Sequence, residues 1–290
     1  MTLTGKGRIA GIIGWPVAHS LSPALHGYWL DELGVDGAMV PLAARAEDFS
    51  RVIEGVRLAG FRGVNVTVPH KEAAFALAHE TRQAARLAGA ANLLVFKPDG
   101  MIGADNTDAV GLFDSLQDAL GGVAIAGKNI VVLGAGGAAR GAVYGLQQFG
   151  HVAKITVLNR NKERADQLVA HVGKLQPDAV LQTGTFDEWD QAAADAWLVI
   201  NTTSAGMKGN APLALDLAPL PQSAAVCDIV YNPLETQLLK DAASRGHVTI
   251  DGLGMLMHQA APSFEAFFGV KPTVSPGLRA ALVKVLRERG

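Results

Sequence analysis

The sequence predicts an α/β fold with largely parallel strands, and three observations carry that prediction. Short apolar runs, such as residues 9–13, 129–133 and 198–201, alternate with longer stretches of helical periodicity. A glycine-rich turn, Gly134-Ala135-Gly136-Gly137, separates one of those runs from a helical segment. With 290 residues, 49% apolar and 18% charged, the chain suits two domains of ordinary size and falls within the globular range.

In order, residues 9–13 read as a first strand. Residues 24–33 read as a helix, with Leu25, Trp29 and Leu33 on one apolar stripe. Residues 38–42 and 63–68 are strands, separated by a helical stretch at 46–58, and 72–80 is helix-like. Residues 93–97 and 101–104 read as a hairpin around the turn tripeptide Pro98-Asp99-Gly100. A helix over 110–120 ends at Gly121-Gly122 and carries the expected domain boundary. Beyond it come strands at 129–133, 154–158, 198–201 and 225–229, with helices at 138–149 and 164–172. The last segment, 255–289, reads as two helices around a Pro/Gly stretch and is expected to pack back on the first domain.

Composition excludes several classes of function. A net charge of −2 gives no sign of a nucleic-acid or anionic-membrane partner. Cys227 is the only cysteine, so an internal disulfide and a cysteine metal cluster are both excluded, and a reducing compartment fits. The eight histidines have no close-paired ligand spacing, and no structural metal is expected. Residues 9–30 lack Asp, Glu, Lys and Arg, but Pro16, Pro23, His19 and His26 interrupt them. That segment reads as strand, polar loop and helix rather than a membrane span or signal peptide, which makes the chain cytoplasmic by expectation.

Chemistry concentrates in Gly63-Val64-Asn65-Val66-Thr67-Val68-Pro69-His70-Lys71. On a strand, Val64, Val66 and Val68 share one face and Asn65 and Thr67 the other, and Pro69 stops the ladder just before Lys71. An amide, a hydroxyl and an ammonium at one strand end suit a polyhydroxylated ligand with a proton to move. Ser20 and Ser22 flank Leu21, and Ser22-Pro23 also reads as an N-cap followed by a first-turn proline; cap and carboxylate contact are compatible roles. His19 reads as a loop residue. Asp105 and Asn106 read as caps of the helix that follows, whereas Asp108 could hold and tune a lysine ammonium. Asn92 follows the small-residue run Gly89-Ala90-Ala91, and turn chemistry is its alternative role. Gln259 lies in an apolar helical stretch and needs a partner.

The second strand–turn–helix, 128–140, carries Gly134, Gly136 and Ala139 in a G-x-G-x-x-A pattern, with another strand about 20 residues on. Glycines permit close approach to a pyrophosphate, and the helix beginning at Ala138 offers it backbone amides. This is a Rossmann-type signature. The second strand ends at Asn159-Arg160-Asn161, with Arg164 one turn further. No carboxylate is present to accept from a ribose 2′-hydroxyl or to repel a 2′-phosphate, and two arginines follow, so NADP is expected over NAD.

Together these segments resemble the shikimate dehydrogenase family over nearly the entire chain. The matching pieces are A-H-S-L-S-P at 18–23, N-V-T-V-P-H-K at 65–71, G-A-A-N at 89–92 and N-T-D at 106–108. G-A-G-G-A-A at 134–139, N-R-N-K-E-R-A at 159–165, N-T-T-S-A-G-M at 201–207, D-I-V-Y-N-P at 228–233 and G-L-G-M-L-M-H-Q at 252–259 complete the series. The resemblance implies an N-terminal three-layer α/β substrate domain (1–112), a doubly wound Rossmann-type NADP-binding domain (113–254) and C-terminal helices (255–290) returning to the first. It implies reversible NADPH-dependent reduction of 3-dehydroshikimate to shikimate, a step toward chorismate and the aromatic amino acids. By that analogy Ser20 and Ser22 bind the substrate carboxylate, closed off by Tyr231. Asn65, Thr67, Asn92, Asp108 and Gln259 hold its hydroxyls, and Lys71 is the general acid/base with Asp108 its partner. The cofactor takes Gly134, Ala135, Gly136, Gly137, Ala138, Asn159, Arg160, Asn161 and Arg164, with the nicotinamide near Ile229, Gly252 and Met255. A monomer or homodimer follows from the same analogy. The chain departs from the family's pattern at Leu93, Ala104 and Gln83, none of them a catalytic group. A quinate/shikimate dehydrogenase and a non-catalytic NADP-binding paralogue are the alternatives; the Ser-x-Ser pair favours shikimate, and retention of Lys71 and Asp108 favours catalysis.

Overall fold

The computed structural model describes residues 3–173 and 180–288. The chain divides into two compact units, one running to Thr107 and resuming at Met257, the other from Asp108 to Leu256.

The first unit is built on a six-stranded mixed sheet. Its strands are β1 (Arg8–Gly14), β2 (Gly37–Ala43), β3 (Gly63–Val66), β4 (Glu80–Thr81), β5 (Leu93–Phe96) and β6 (Ile102–Asp105), in the order β2-β1-β3-β5-β6-β4. β1 pairs in parallel with β2 and β3, while β5 runs antiparallel to both β3 and β6. Helices α1 (Ser22–Glu32), α2 (Phe49–Leu58), α3 (Lys71–Leu77) and α4 (Gln83–Ala88) belong to this unit. One apolar layer joins Ile13, Val64, Val66 and Leu94 to Phe49 and Ile53 of α2.

The second unit is a parallel sheet of β7 (Asn129–Leu133), β8 (Lys154–Leu158), β9 (Val180–Gly184), β10 (Leu198–Asn201), β11 (Ala225–Asp228) and β12 (Val248–Ile250). Its order, β12-β11-β10-β7-β8-β9, is the doubly wound arrangement in which all strands are parallel and the order of succession reverses between β7 and β10. Helices α5 (Asp108–Ala119), α6 (Gly137–Gly150), α7 (Lys162–Gly173), α8 (Trp189–Ala193) and α9 (Gln237–Ser244) accompany it. Ile130 and Val132 enter one apolar cluster, and Val131 and Leu133 the other. A strand buried on both faces needs this unbroken apolar run.

Helix α10 (Gly252–Phe268) carries the chain back to the first unit, where α11 (Pro276–Glu288) packs beside α1. Trp29 of α1 donates its indole N–H to Thr273 O at 2.9 Å. Arg289, the end of the expected C-terminal segment, lies outside the described residues. None of the described helices is long and apolar enough to cross a membrane.

Several expected boundaries shift for local reasons. β3 ends at Val66 rather than 68: His70 N donates to Thr67 O at 3.0 Å, closing a turn around Pro69, and Val68 is exposed. The stretch 46–58 is a 3-10 turn, Ala46–Asp48, followed by α2. The helix expected over 72–80 stops at Leu77, because Glu80 and Thr81 pair with β6 as β4. Leu25 and Trp29 are buried as expected, but Leu33 is the C-cap residue of α1 and is exposed. Ile229 lies just beyond β11, not within it.

His26 is buried among Trp29, Phe264, Phe267 and Phe268, with ring centroids 5.7 to 6.3 Å away. Neither ring nitrogen has a hydrogen-bond partner. Burial lowers its pKa to about 3, because the cationic form would lose its hydration with nothing to replace it.

Candidate active site

In the first unit the site grows from the end of β3. Val64 and Val66 point into the core and Asn65 to the opposite face, as the alternation requires. Asn65 Nδ2 donates to Ser263 Oγ at 2.7 Å and to Asn92 O at 3.3 Å, and its Oδ1 is a buried acceptor with no partner. Thr67 follows, its N–H held by Ile13 O, and Lys71 is the first residue of α3. Lys71 O accepts from Ala91 N at 2.8 Å, joining the start of α3 to the small-residue run before Asn92.

Asn92, buried at the head of β5, is the hub of this half. Its Oδ1 accepts from Thr107 N at 2.9 Å. Its Nδ2 donates to Thr107 Oγ1 at 3.0 Å and to Gln259 Oε1 at 2.9 Å. Thr107 in turn donates its hydroxyl to Gln259 O at 2.8 Å. Sequence reading missed Thr107 and Ser263. Ser263 was findable, since it stands four residues after Gln259 on one face of α10.

Ser22 does not cap α1, contrary to the sequence reading: the cap residue is Leu21, with Ser22 and Pro23 inside the first turn. The N–H of Ser22 instead donates to Ser20 Oγ at 3.2 Å, so the two serines form one local turn. Asn106, expected as a cap, donates its amide to Ala90 O at 3.1 Å, while Asp105 Oδ1 accepts from Asn106 N.

Asp108 opens the second unit as the buried first residue of α5. The glycine loop follows β7 as expected. Gly134 has φ +108°, and a Cβ there would lie 2.9 Å from Thr202 Oγ1, so only glycine fits. Gly136 caps α6 and Gly137 begins it; a Cβ on either would meet nothing within 4 Å, so their surroundings are open. Ala135 and Ala138 are half-buried beside them. An anion at this helix start would meet unblocked backbone amides.

At the end of β8, Asn159 donates its amide to Asn161 O at 2.8 Å, and Asn161 Oδ1 accepts from Arg164 N at 3.3 Å. Arg160 and Arg164 are exposed. Lys162 is engaged with Asp166 at 2.8 Å. Hydrogen bonds from Lys162 and Thr183 hold the Asp166 carboxyl below its usual range. These residues fit a 2′-phosphorylated dinucleotide: no carboxylate ends β8, and two guanidinium groups face solvent there.

Ile229, Gly252 and Met255 come together at the other side of the switch point. Ile229 and Met255 pack on the same apolar cluster, and Gly252 N donates to Val230 O at 3.3 Å. A Cβ on Gly252 would lie 2.1 Å from Ile229 O. Tyr231 is half-buried two residues beyond Ile229.

Comparison with known proteins identifies the family. Residues 12–94 match the family model described as the shikimate dehydrogenase substrate binding domain, and 116–208 that of shikimate / quinate 5-dehydrogenase. The chain is 49% identical over 282 residues to the shikimate dehydrogenase (NADP(+)) of Acidiphilium cryptum, covering 97% of this chain and 98% of that one. This chain belongs to the shikimate dehydrogenase family. A family member from Thermus thermophilus, solved in complex with NADP(H) and shikimate, superposes with a TM-score of 0.82 at 32% identity, covering 97% of this chain and 99% of that one. Quinate dehydrogenase from Corynebacterium glutamicum, solved in complex with NAD, reaches a TM-score of 0.88 at 29% identity over 96% of this chain and 99% of that one.

Proposed function

We propose that this protein catalyses the reversible NADPH-dependent reduction of 3-dehydroshikimate to shikimate. The observation that carries the substrate side is Asn65 Oδ1, a buried acceptor without a partner on the strand end that continues through Thr67 to Lys71. A ligand hydroxyl would satisfy it, and burial of an unmatched acceptor otherwise costs about 1–3 kcal/mol.

In this reading Ser20 and Ser22 take the substrate carboxylate, with Tyr231 at the same end. Thr67, Asn92, Asp108 and Gln259 hold hydroxyls along with Asn65. Asn92 occupies Gln259 Oε1, which leaves the Nε2 donors of that side chain for the ligand. Bound NADPH supplies the hydride. Lys71 gives its proton to the C3 oxygen during reduction and withdraws it during oxidation, and Asp108 is the carboxylate that works with it. Gly134, Gly136 and Gly137 receive the pyrophosphate, Arg160 and Arg164 the 2′-phosphate, and Ile229, Gly252 and Met255 flank the nicotinamide. The protein acts in the cytoplasm as a monomer or homodimer.

Initial rates with shikimate and with quinate, each with NADP and with NAD, test the reading. It expects the fastest turnover from shikimate with NADP. Faster turnover of quinate would replace it with the broader quinate/shikimate activity, and NADP binding without turnover of either would make the chain a non-catalytic paralogue.

A further inference from the structure

Asn201 and Asp228 are the last residues of β10 and β11 and stand opposite each other in the parallel register. Both are fully buried, and Asn201 Nδ2 donates to Asp228 Oδ1 at 3.0 Å. Every other hydrogen bond that these side chains make goes to the loops beyond the two strands. Asn201 Oδ1 accepts from Thr203 N at 3.0 Å and Thr203 Oγ1 at 2.7 Å. Asp228 Oδ1 accepts from Val230 N at 3.0 Å, and Oδ2 from the buried Thr236 hydroxyl at 2.7 Å.

The backbone completes the arrangement. Ile229 N donates to Asn201 O at 3.1 Å, while Gly252 abuts Ile229 O so closely that no Cβ would fit. The N–H groups of Ile229 and Val230 are therefore both held, and Gly252 backs the Ile229 carbonyl sterically. The preceding loop is anchored on its far side as well, where Thr202 Oγ1 donates to Leu133 O at 2.7 Å, next to the glycine turn.

Joining β10 to β11 does not require a carboxylate here. An apolar pair would hold two adjacent parallel strands without the desolvation cost of a buried charge. What an apolar pair could not do is accept backbone and hydroxyl hydrogen bonds from both loops at once. Those loops emerge at carboxyl ends of strands beside the topological switch point, where an open α/β sheet places its ligand.

We propose that Asn201, Asp228 and Thr236 are positioning residues, a buried hydrogen-bonded clamp that sets the backbone of Ile229 and so the nicotinamide end of the cofactor site. The proposal rests on the functional reading above, which places the nicotinamide beside Ile229. It predicts a split between the two ends of the cofactor: loosening the clamp slows hydride transfer but leaves recognition of the adenosine 2′-phosphate intact.

The test compares wild type with Asn201→Ala, Thr236→Val and Thr236→Ser by shikimate oxidation kinetics, thermal melting, and titration with 2′,5′-ADP, which has the 2′-phosphate but no nicotinamide. A displaced reacting group costs on the order of 100-fold, so kcat of Asn201→Ala should fall by about 10- to 100-fold. Its Kd for 2′,5′-ADP should stay within about twofold, since that contact lies at the end of β8. Thr236→Val removes the hydroxyl, which donates to Asp228 and also accepts from Leu239 N at 3.4 Å as the cap of α9, and should show the same split more weakly; Thr236→Ser keeps the hydroxyl and should keep kcat. Unchanged kcat in a folded Asn201→Ala protein overturns the proposal, as does a parallel loss of kcat and 2′,5′-ADP affinity. If Asn201→Ala does not fold, the Thr236 pair decides: equal kcat in the valine and serine variants overturns it. Inactivity of the wild type with shikimate would instead remove the underlying functional reading.

Discussion

Asn92 and Thr107 are hydrogen-bonded twice, main-chain N–H to side-chain carbonyl at 2.9 Å and side-chain amide to hydroxyl at 3.0 Å. The pair locks the head of β5 to the residue immediately before Asp108, and Thr107 passes the connection on to the backbone of Gln259. Thr107→Val keeps the shape and removes the hydroxyl. Leaving Asn92 Nδ2 and Gln259 O each short of a partner should cost about 1–3 kcal/mol of stability. The KM for shikimate should rise several-fold while the Kd for NADP stays unchanged; denaturant unfolding and steady-state kinetics read the two effects.

Arg160 should discriminate between the cofactors. It is exposed at the end of β8, where Asn159 replaces the carboxylate that would favour an unphosphorylated ribose. A charge-assisted hydrogen bond to phosphate contributes about 1.5–3 kcal/mol, so Arg160→Ala should raise the KM for NADP about tenfold or more and that for NAD little. Equal losses with both cofactors would show that Arg160 does not read the 2′-phosphate.

Gly252 has no room for a side chain, since a Cβ would stand 2.1 Å from Ile229 O, a backbone atom that cannot rotate away. Gly252→Ala should therefore destabilise the second unit by about 1–3 kcal/mol or displace the loop after β11. Either effect appears as a lower melting temperature or a reduced kcat, and full retention of both would contradict the packing described.

His26 should make the protein acid-sensitive. Its folded pKa is lowered to about 3 from an ordinary 6.5, so between those values the unfolded chain takes up a proton that the folded chain refuses. Stability is thus unaffected above about pH 6.5 and declines as pH falls toward 3, by up to about 1.4 kcal/mol per pH unit. His26→Leu should flatten that acid limb in denaturant titrations at stepped pH; an unchanged slope would assign the acid sensitivity to other groups.

The parts of this protein legible in sequence were those written in consecutive residues. The alternation Val64-Asn65-Val66 and the run Gly134 to Ala139 each state a local geometry and a chemistry together, and both sit where that geometry requires. Short elements escaped because they lack a period to read. β4 has two residues and owes its existence to pairing with β6, and α4 has six. β12 went unread for a related reason: it has three residues, two of them exposed, and so shows no sustained apolar run. The Asn201–Asp228 contact is invisible for a different reason, since it links positions 27 apart through strand register. Thr107 and Ser263 belong to the same class, being defined by what Asn92 and Asn65 need rather than by their own neighbours.

If Lys71 moves the proton in shikimate oxidation, its removal must slow the chemical step far more than it weakens substrate binding. Wild-type protein and Lys71→Ala are mixed with shikimate and saturating NADP, NADPH formation is followed by absorbance, and shikimate binding to the variant is measured separately. Turnover should be rapid in the wild type and kcat about 10²- to 10⁴-fold lower in the variant, with shikimate affinity within an order of magnitude. A variant that keeps more than about a tenth of the wild-type kcat would contradict that role, because a general acid/base typically contributes about 10²- to 10⁴-fold.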